Sequence, residues 1–343
     1  MSDNSTSKAP KLRTIALEEH FGHPAALKKT PAGNVDFDAL SESEGVPADV
    51  MKMAWGLLTD FEQTRLAEMD AHGIDMSILS LTTPGAQGMT DPAAAISTAR
   101  EINDFLAEQV ARHPSRFAGF ATLALQDPKA AATEFERCVH KLGFKGAMIN
   151  GYTSTPDGGG RYLDDPSFLE FWECAADLGA PIYLHPRPAL PPVPAYDGHP
   201  EFGTGAARAY GVETANHTLR LIFSGLFDQF PGLTLILGHL GELLPYTLWR
   251  TQYIFERLPY GKKTDKTLAE YFADNIYITT SGAFSDQTLI SALLFVGSDR
   301  ILFSVDYPYA EMKHATEWLE RAPISVSDRR KIAHGNAQRL FGL

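Results

Sequence analysis

Cysteine is almost missing from this chain. Cys138 and Cys174 are the only two in 343 residues, both inside helical patterns and with no paired spacing for a metal or redox site. They read as reduced, buried thiols. No apolar run reaches membrane-spanning length, and Met1 to Arg13 is polar, without a signal-peptide core. Residues 1–13 therefore read as a disordered tail and 14–343 as one domain, expected in the cytoplasm. Positive charge is scarce: 30 Lys and Arg against 42 Asp and Glu give a net charge of −12, which argues against nucleic acid and anionic membrane surfaces as partners. An anionic substrate would need a local positive centre, such as a bound metal. No Gly-rich fingerprint follows the first apolar run, which argues against a dinucleotide site and an open doubly wound sheet.

What is present is apolar, aromatic and alternating. The hydrophobic fraction is 44%, with 20 Phe and 12 Tyr, ample for a large core. Short β-branched runs predict strands at 14–17, 76–81, 117–123, 147–150, 182–185, 233–239, 276–280 and 301–306. Amphipathic patterns between them predict helices at 60–72, 92–112, 128–142, 166–178, 212–230, 243–257 and 286–296. Three of these begin with Asp-Pro (91–92, 127–128, 165–166), a capping Asp followed by proline at the first helical position. Eight strands with intervening helices predict an α/β fold, a (β/α)8 TIM barrel. Long connections after strands one (22–59) and five (186–211, proline-rich) would lie over its mouth.

Barrel chemistry sits at strand C-terminal ends. The run Ile15-Ala16-Leu17-Glu18-Glu19-His20 closes on Glu18 and His20, which side-chain alternation puts on one face, a carboxylate and an imidazole suited to a metal. Strand five ends in His185-Pro186-Arg187, strand six in His239-Leu240-Gly241-Glu242, and strand eight in Asp306-Tyr307-Pro308. Each has a plainer role open to it: a His bonding a neighbouring carbonyl, Asp306 capping a turn, Glu18 pairing with an arginine. Together they would gather carboxylates and imidazoles at one mouth. His23 and His199, in the mouth loops, are weaker candidates. Aromatics there (Phe21, Trp55, Tyr196, Phe202, Tyr307, Tyr309) suit a ring-binding pocket or ordinary packing.

These segments, Leu17-Glu18-Glu19-His20-Phe21, Leu184-His185-Pro186-Arg187, Gly238-His239-Leu240-Gly241-Glu242 and Ser304-Val305-Asp306-Tyr307-Pro308, resemble the amidohydrolase superfamily. More narrowly they resemble its nonoxidative aromatic hydroxy-acid decarboxylases, of the γ-resorcylate (2,6-dihydroxybenzoate) type. The resemblance implies Glu18, His20, His185 and Asp306 as ligands of one divalent metal, and His239 with Glu242 as an acid–base relay. The three-residue spacing of that pair supports the relay independently. It also implies that Arg250 reaches a neighbouring subunit's site in a homo-oligomer, a tetramer; Arg187 is the alternative cation and Phe21 a further substrate contact.

Many hydrolases of this superfamily carry a metal-bridging lysine at the end of strand four. Here that strand ends at Asn150, and Lys145 lies at its wrong end, so a single Mn²⁺ or Zn²⁺ is expected, with no organic cofactor. The implied chemistry is reversible decarboxylation of an ortho-hydroxybenzoate, the 2,6-dihydroxy isomer foremost, with Asp306 as proton donor to the ring. A metal-dependent lactone or amide hydrolase and a non-catalytic metal scaffold are the alternatives.

Overall fold

The computed structural model describes residues 12–27, 35–44, 46–199, 202, 205–258 and 264–343. Most of the expected tail, and parts of both long loops, lie outside these residues. Eight short strands build the ring, in chain order β1 (Ile15–Phe21), β2 (Met76–Leu81), β3 (Phe117–Gly119), β4 (Ala147–Asn150), β5 (Ile182–His185), β6 (Leu235–Leu237), β7 (Ile276–Thr279) and β8 (Ile301–Leu302), and a separate antiparallel pair joins Thr153–Ser154 to Gly160–Arg161. Within the ring every neighbouring pair is parallel. One sheet joins β1, β2 and β3, and the other runs from β4 through to β8. Single parallel bridges join the two sheets, Ala121 with Ala147 and Leu17 with Ser304. The second is backed by the Leu17 amide donating to the Phe303 carbonyl at 3.2 Å. The result is the expected (β/α)8 ring, with two seams thinner than its other joints.

The apolar side chains divide by layer, as alternation along each strand requires. Ile15, Leu17, Ile78, Phe120, Tyr183, Ile236 and Leu302 fill the interior of the ring. Ala16, Phe21, Leu79, Ile149, Leu184 and Ile278 face the surrounding helices. The Asp-Pro starts hold: Asp91 and Asp127 cap helices Pro92–Arg112 and Pro128–His140 by accepting from the amides of Ala93 and Ala130, and Asp165 caps a 3₁₀ turn, Pro166–Phe168. The expected helix at 212–230 is two helices, Ala209–Phe223 and Leu226–Gln229, parted by Gly225 in the left-handed region (φ 81°). β3, β6 and β8 are shorter than their apolar runs, because the runs continue as irregular chain toward the mouth. β1 is longer.

Helices absent from the sequence reading occupy the first long loop (Phe37–Glu44, Ala48–Leu58) and the last third of the chain (Leu268–Asn275, Met312–Arg321, Asn336–Phe341). The Leu268 helix carried its signal. Thr267 and Glu270 form a reciprocal capping box. Among the described residues, no helix is long and apolar enough to cross a membrane.

Candidate active site

β1 does not reach the mouth by simple alternation. Ala16 pairs with Ser77 and Glu19 with Leu79, so Leu17 and Glu18 together oppose only Ile78. This is a bulge, with Glu18 in the left-handed region (φ 56°). The extra residue lets Leu17 fill the interior while Glu18 also turns inward beyond it. His20 then follows on the same side, and Glu19 and Phe21 point away.

From β8, Asp306 (φ 77°) turns back over the ring. From β6 comes a five-residue left-handed turn: His239 (φ 50°), Leu240 (53°), Gly241 (88°), Glu242 (54°) and Leu243 (68°). For residues other than glycine that conformation costs roughly 1–2 kcal/mol each, strain of the kind that persists where packing fixes a functional geometry. It ends where Leu244 opens the right-handed helix Leu244–Arg257.

These ends converge. The His185 Nε2 lies 3.4 Å from Glu18 Oε1, and His20 Nε2 lies 3.5 Å from Asp306 Oδ1. His239 Nε2 stands 3.9 Å from Glu18 Oε1 and 3.6 Å from Asp306 Oδ2. Glu18, His20 and His185 present donor atoms within 4.8 Å of one another, as do Glu18, His239 and Asp306. Glu18 Oε1 and His20 Nε2 are buried with no hydrogen-bond partner. Buried polar atoms without partners are costly, and several of them aimed at one point fit a divalent cation.

The outer contacts fix each ring's free nitrogen. His185 Nδ1 donates to the Pro186 carbonyl at 3.0 Å, and His239 Nδ1 donates to Glu242 Oε1 at 2.7 Å. Both Nε2 atoms are thereby turned to the cluster. Inside the ring, Tyr183 Oη donates to Glu18 Oε2 and is tied to Thr279 Oγ1.

Burial raises the Glu18 carboxyl against the pull of His239. Burial works the same way on Asp306, but the His20 and His239 rings outweigh it and hold that carboxyl down to about 2. His239 is driven well above the ordinary imidazole range: burial opposes this, and Glu242 and Glu18 overcome it. His185 falls well below that range through burial and the neighbouring His20.

A cavity of about 110 Å³ opens over the cluster, lined by Met51, Thr83, His185, Pro186, Tyr210, His239, Asp306 and Tyr309 among others. Cavities on the order of 150 Å³ accept a benzene ring, so this one is on the scale of a single substituted ring. Met51 and Tyr210, from the two long loops, were not singled out in the sequence, since nothing in a loop's pattern shows which side chain turns inward.

Three of the candidates lie elsewhere. Phe21 points out of the ring and packs on Phe61 and Phe105, because alternation after the bulge sends it to the helix layer. Arg187 is drawn off by other partners: it donates to the carbonyls of Gln87 (3.2 Å) and Tyr152 (2.7 Å) and to Ser154 Oγ (3.3 Å). It lines a separate, larger cavity of about 580 Å³. Arg250 is exposed on helix Leu244–Arg257. His23 caps a short turn, accepting from the Ala25 amide, and His199 stacks on Phe202; neither joins the cluster. Of the mouth aromatics, Tyr309 borders the cavity, whereas Tyr307 is buried against the Arg65 guanidinium.

The amidohydrolase family model (Amidohydrolase) matches residues 22–343. The chain belongs to the amidohydrolase family. This amidohydrolase is 46% identical over 336 residues to a γ-resorcylate decarboxylase of Polaromonas sp. (strain JS666), an alignment covering 96% of the chain and 98% of the relative. A crystal structure of 2,6-dihydroxybenzoate decarboxylase complexed with 2,6-dihydroxybenzoate superposes with a TM-score of 0.88 at 46% identity, over 96% of this chain and 99% of that one. A dihydroxybenzoic acid decarboxylase from Polaromonas sp. JS666, solved with manganese and the inhibitor 2-nitroresorcinol, gives 0.88 at 45% identity, over 96% and 97%.

Gly238, just before the left-handed turn, approaches the cluster most tightly from behind. A Cβ there would stand 2.9 Å from Glu18 Oε2 and 3.3 Å from Tyr183 Oη. Gly238→Ala is expected to displace the Glu18 carboxylate and weaken divalent-cation binding roughly 10- to 100-fold, the usual range for disturbed outer contacts. Titration calorimetry checks this, with the far-UV circular dichroism unchanged.

Proposed function

We propose that this amidohydrolase is a metal-dependent, nonoxidative decarboxylase of an ortho-hydroxybenzoate, with 2,6-dihydroxybenzoate as its preferred substrate and resorcinol and CO₂ as products. The observation that carries the reading is the convergence of Glu18, His20, His185, His239 and Asp306 from four strand ends beneath a ring-sized cavity. The similarity to the decarboxylases above, over 96% of the chain, favours it over a lactone or amide hydrolase.

Glu18, His20, His185 and Asp306 would hold one divalent cation, Mn²⁺ as in the manganese-bound relative or Zn²⁺, since a mixed carboxylate and imidazole set suits either. A cation held there supplies the positive charge and Lewis acidity that an anionic hydroxybenzoate requires. Asp306, ionised at rest, takes a proton from His239, 3.6 Å away, and delivers it to the ring carbon bearing the carboxylate. The bond from that carbon to the carboxylate then breaks, its electron pair restores aromaticity, and CO₂ leaves. Glu242 orients the His239 ring for that transfer. No organic cofactor is required, because the ring itself holds the transient charge.

The test is CO₂ release from salicylate and from 2,3-, 2,4- and 2,6-dihydroxybenzoate. The 2,6 isomer should be turned over fastest. Chelator-treated protein should lose activity, and Mn²⁺ or Zn²⁺ should restore it. Hydrolysis of a lactone panel with no CO₂ from any of the acids would overturn the assignment.

The same reading includes a homo-oligomer, a tetramer, in which Arg250 serves the adjacent subunit's site. Beside Arg250 the helix exposes Tyr246 (53%) and Trp249 (72%), with Trp249 stacked on Tyr253 at 5.2 Å, an apolar surface of the kind that subunit contact covers. Trp249→Glu should lower the mass measured by light scattering and reduce kcat with it. Arg250→Ala should reduce activity without changing that mass.

A further inference from the structure

Glu19 and Arg65 are both fully buried, yet neither touches the candidate cluster. A buried carboxyl group and guanidinium are expensive without a specific task. Glu19 points away from the ring interior, and its Oε1 accepts from the amide of Val305, at 2.9 Å, immediately before Asp306. Arg65, at the start of helix Thr64–His72, sends Nη2 to the carbonyl of His20, at 2.5 Å, and Nε to the carbonyl of Asp60, at 3.2 Å. Its guanidinium lies 4.5 Å over the Tyr307 ring, and burial pushes the Glu19 carboxyl up to about 8.

Two of these contacts, Glu19 with the Val305 amide and Arg65 with the His20 carbonyl, therefore land on the backbone of a residue that is, or adjoins, one of the four expected ligands. The same stretch holds two residues in the left-handed region, Glu18 and Asp306, and such geometry survives only where the surroundings over-determine it. The direct tie between these strand ends is slender: the amide of His20 donates to the carbonyl of Tyr307 at 2.8 Å, below which stands the single bridge of Leu17 with Ser304.

We infer that Glu19 and Arg65 are positioning residues, a buried hydrogen-bonding brace that holds His20 and Asp306 at the spacing a divalent cation requires across the β1–β8 joint. The inference rests on the metal-dependent reading above and deepens it. The brace acts on backbone atoms, so its loss should appear first in metal affinity rather than in substrate recognition.

The experiment is calorimetric titration of metal-stripped protein with Mn²⁺, together with the melting temperature of the metal-free form and kcat and KM at saturating Mn²⁺. E19A removes the acceptor for Val305, and R65M removes the donor to His20. Each is expected to weaken Mn²⁺ binding about 10- to 100-fold, with KM within about threefold of wild type and most of kcat recovered when metal saturates. E19Q keeps an acceptor oxygen and should stay within threefold of the wild-type affinity. R65K keeps the charge but not the forked geometry and should be about tenfold weaker; it carries the test if E19A or R65M does not fold. Unchanged Mn²⁺ affinity in the folded variants overturns the brace, even if their melting temperatures fall, and so does an equal loss in E19Q and E19A. Wild-type protein that binds no Mn²⁺ would instead remove the metal reading itself, which keeps the two failures distinguishable.

Discussion

Asp306→Asn is expected to lower kcat by at least about 10³-fold and to weaken Mn²⁺ binding by one to two orders of magnitude. The substitution keeps size and shape but removes the charge that faces two imidazoles, His20 at 3.5 Å and His239 at 3.6 Å. It also removes the acid next to the cavity from which a proton can reach the ring. The two losses separate at saturating Mn²⁺, where binding is no longer limiting. A persistent kcat deficit of 10²-fold or more under those conditions would mark proton delivery. Full recovery of kcat would leave Asp306 as a ligand alone, with His239 as the direct donor.

His239→Ala should divide the same functions the other way. Its Nε2 stands 3.9 Å from Glu18 Oε1 and its Nδ1 is committed to Glu242; in the proposed reading the ring serves the relay and not the cation. Mn²⁺ affinity should stay within about threefold of wild type, while kcat falls by roughly 10²- to 10⁴-fold, the range of a lost proton-transfer partner. Glu242→Gln should show a smaller fall, because the amide can still accept from Nδ1 but no longer stabilises the charged ring. Rapid-quench measurement of CO₂ release with metal-loaded protein checks both. Wild-type turnover in His239→Ala would remove the relay.

The barrel and the location of its chemistry were legible because both follow from periodicity. Alternating apolar runs give the strands, and polar residues at the ends of those runs have only the mouth to face. Glu18, His20, His185, His239, Glu242 and Asp306 were all named from those ends, and the structure brings them together. Alternation alone would nevertheless misdescribe how Glu18 arrives, since a bulge rather than the plain pleat turns both Leu17 and Glu18 inward. The left-handed turn from His239 to Leu243 has no propensity signal either. Only Gly241 in it favours that conformation, and tertiary packing imposes the rest. Phe21 was misplaced because neighbours in sequence face opposite ways along a strand, and Arg187 because loop carbonyls beyond the strand, of Gln87 and Tyr152, capture its guanidinium. Arg65 and Glu19 escaped notice for a related reason: an arginine in a helix and one of two adjacent glutamates both look solvent-facing until the fold buries them.

The thin joint between the first and last strands has a consequence for the molecule as a whole. Glu18 and His20 belong to one bank of it and Asp306 to the other, so an ion gripping all three would act as a rivet through one of the two thin lines of the cylinder. Occupancy and global cohesion should then rise together. Metal at a hundred times its dissociation constant adds about 2.7 kcal/mol to the folded state, and the amides slowest to exchange with solvent in the loaded protein should include those flanking this line, Leu17 and Val305 among them.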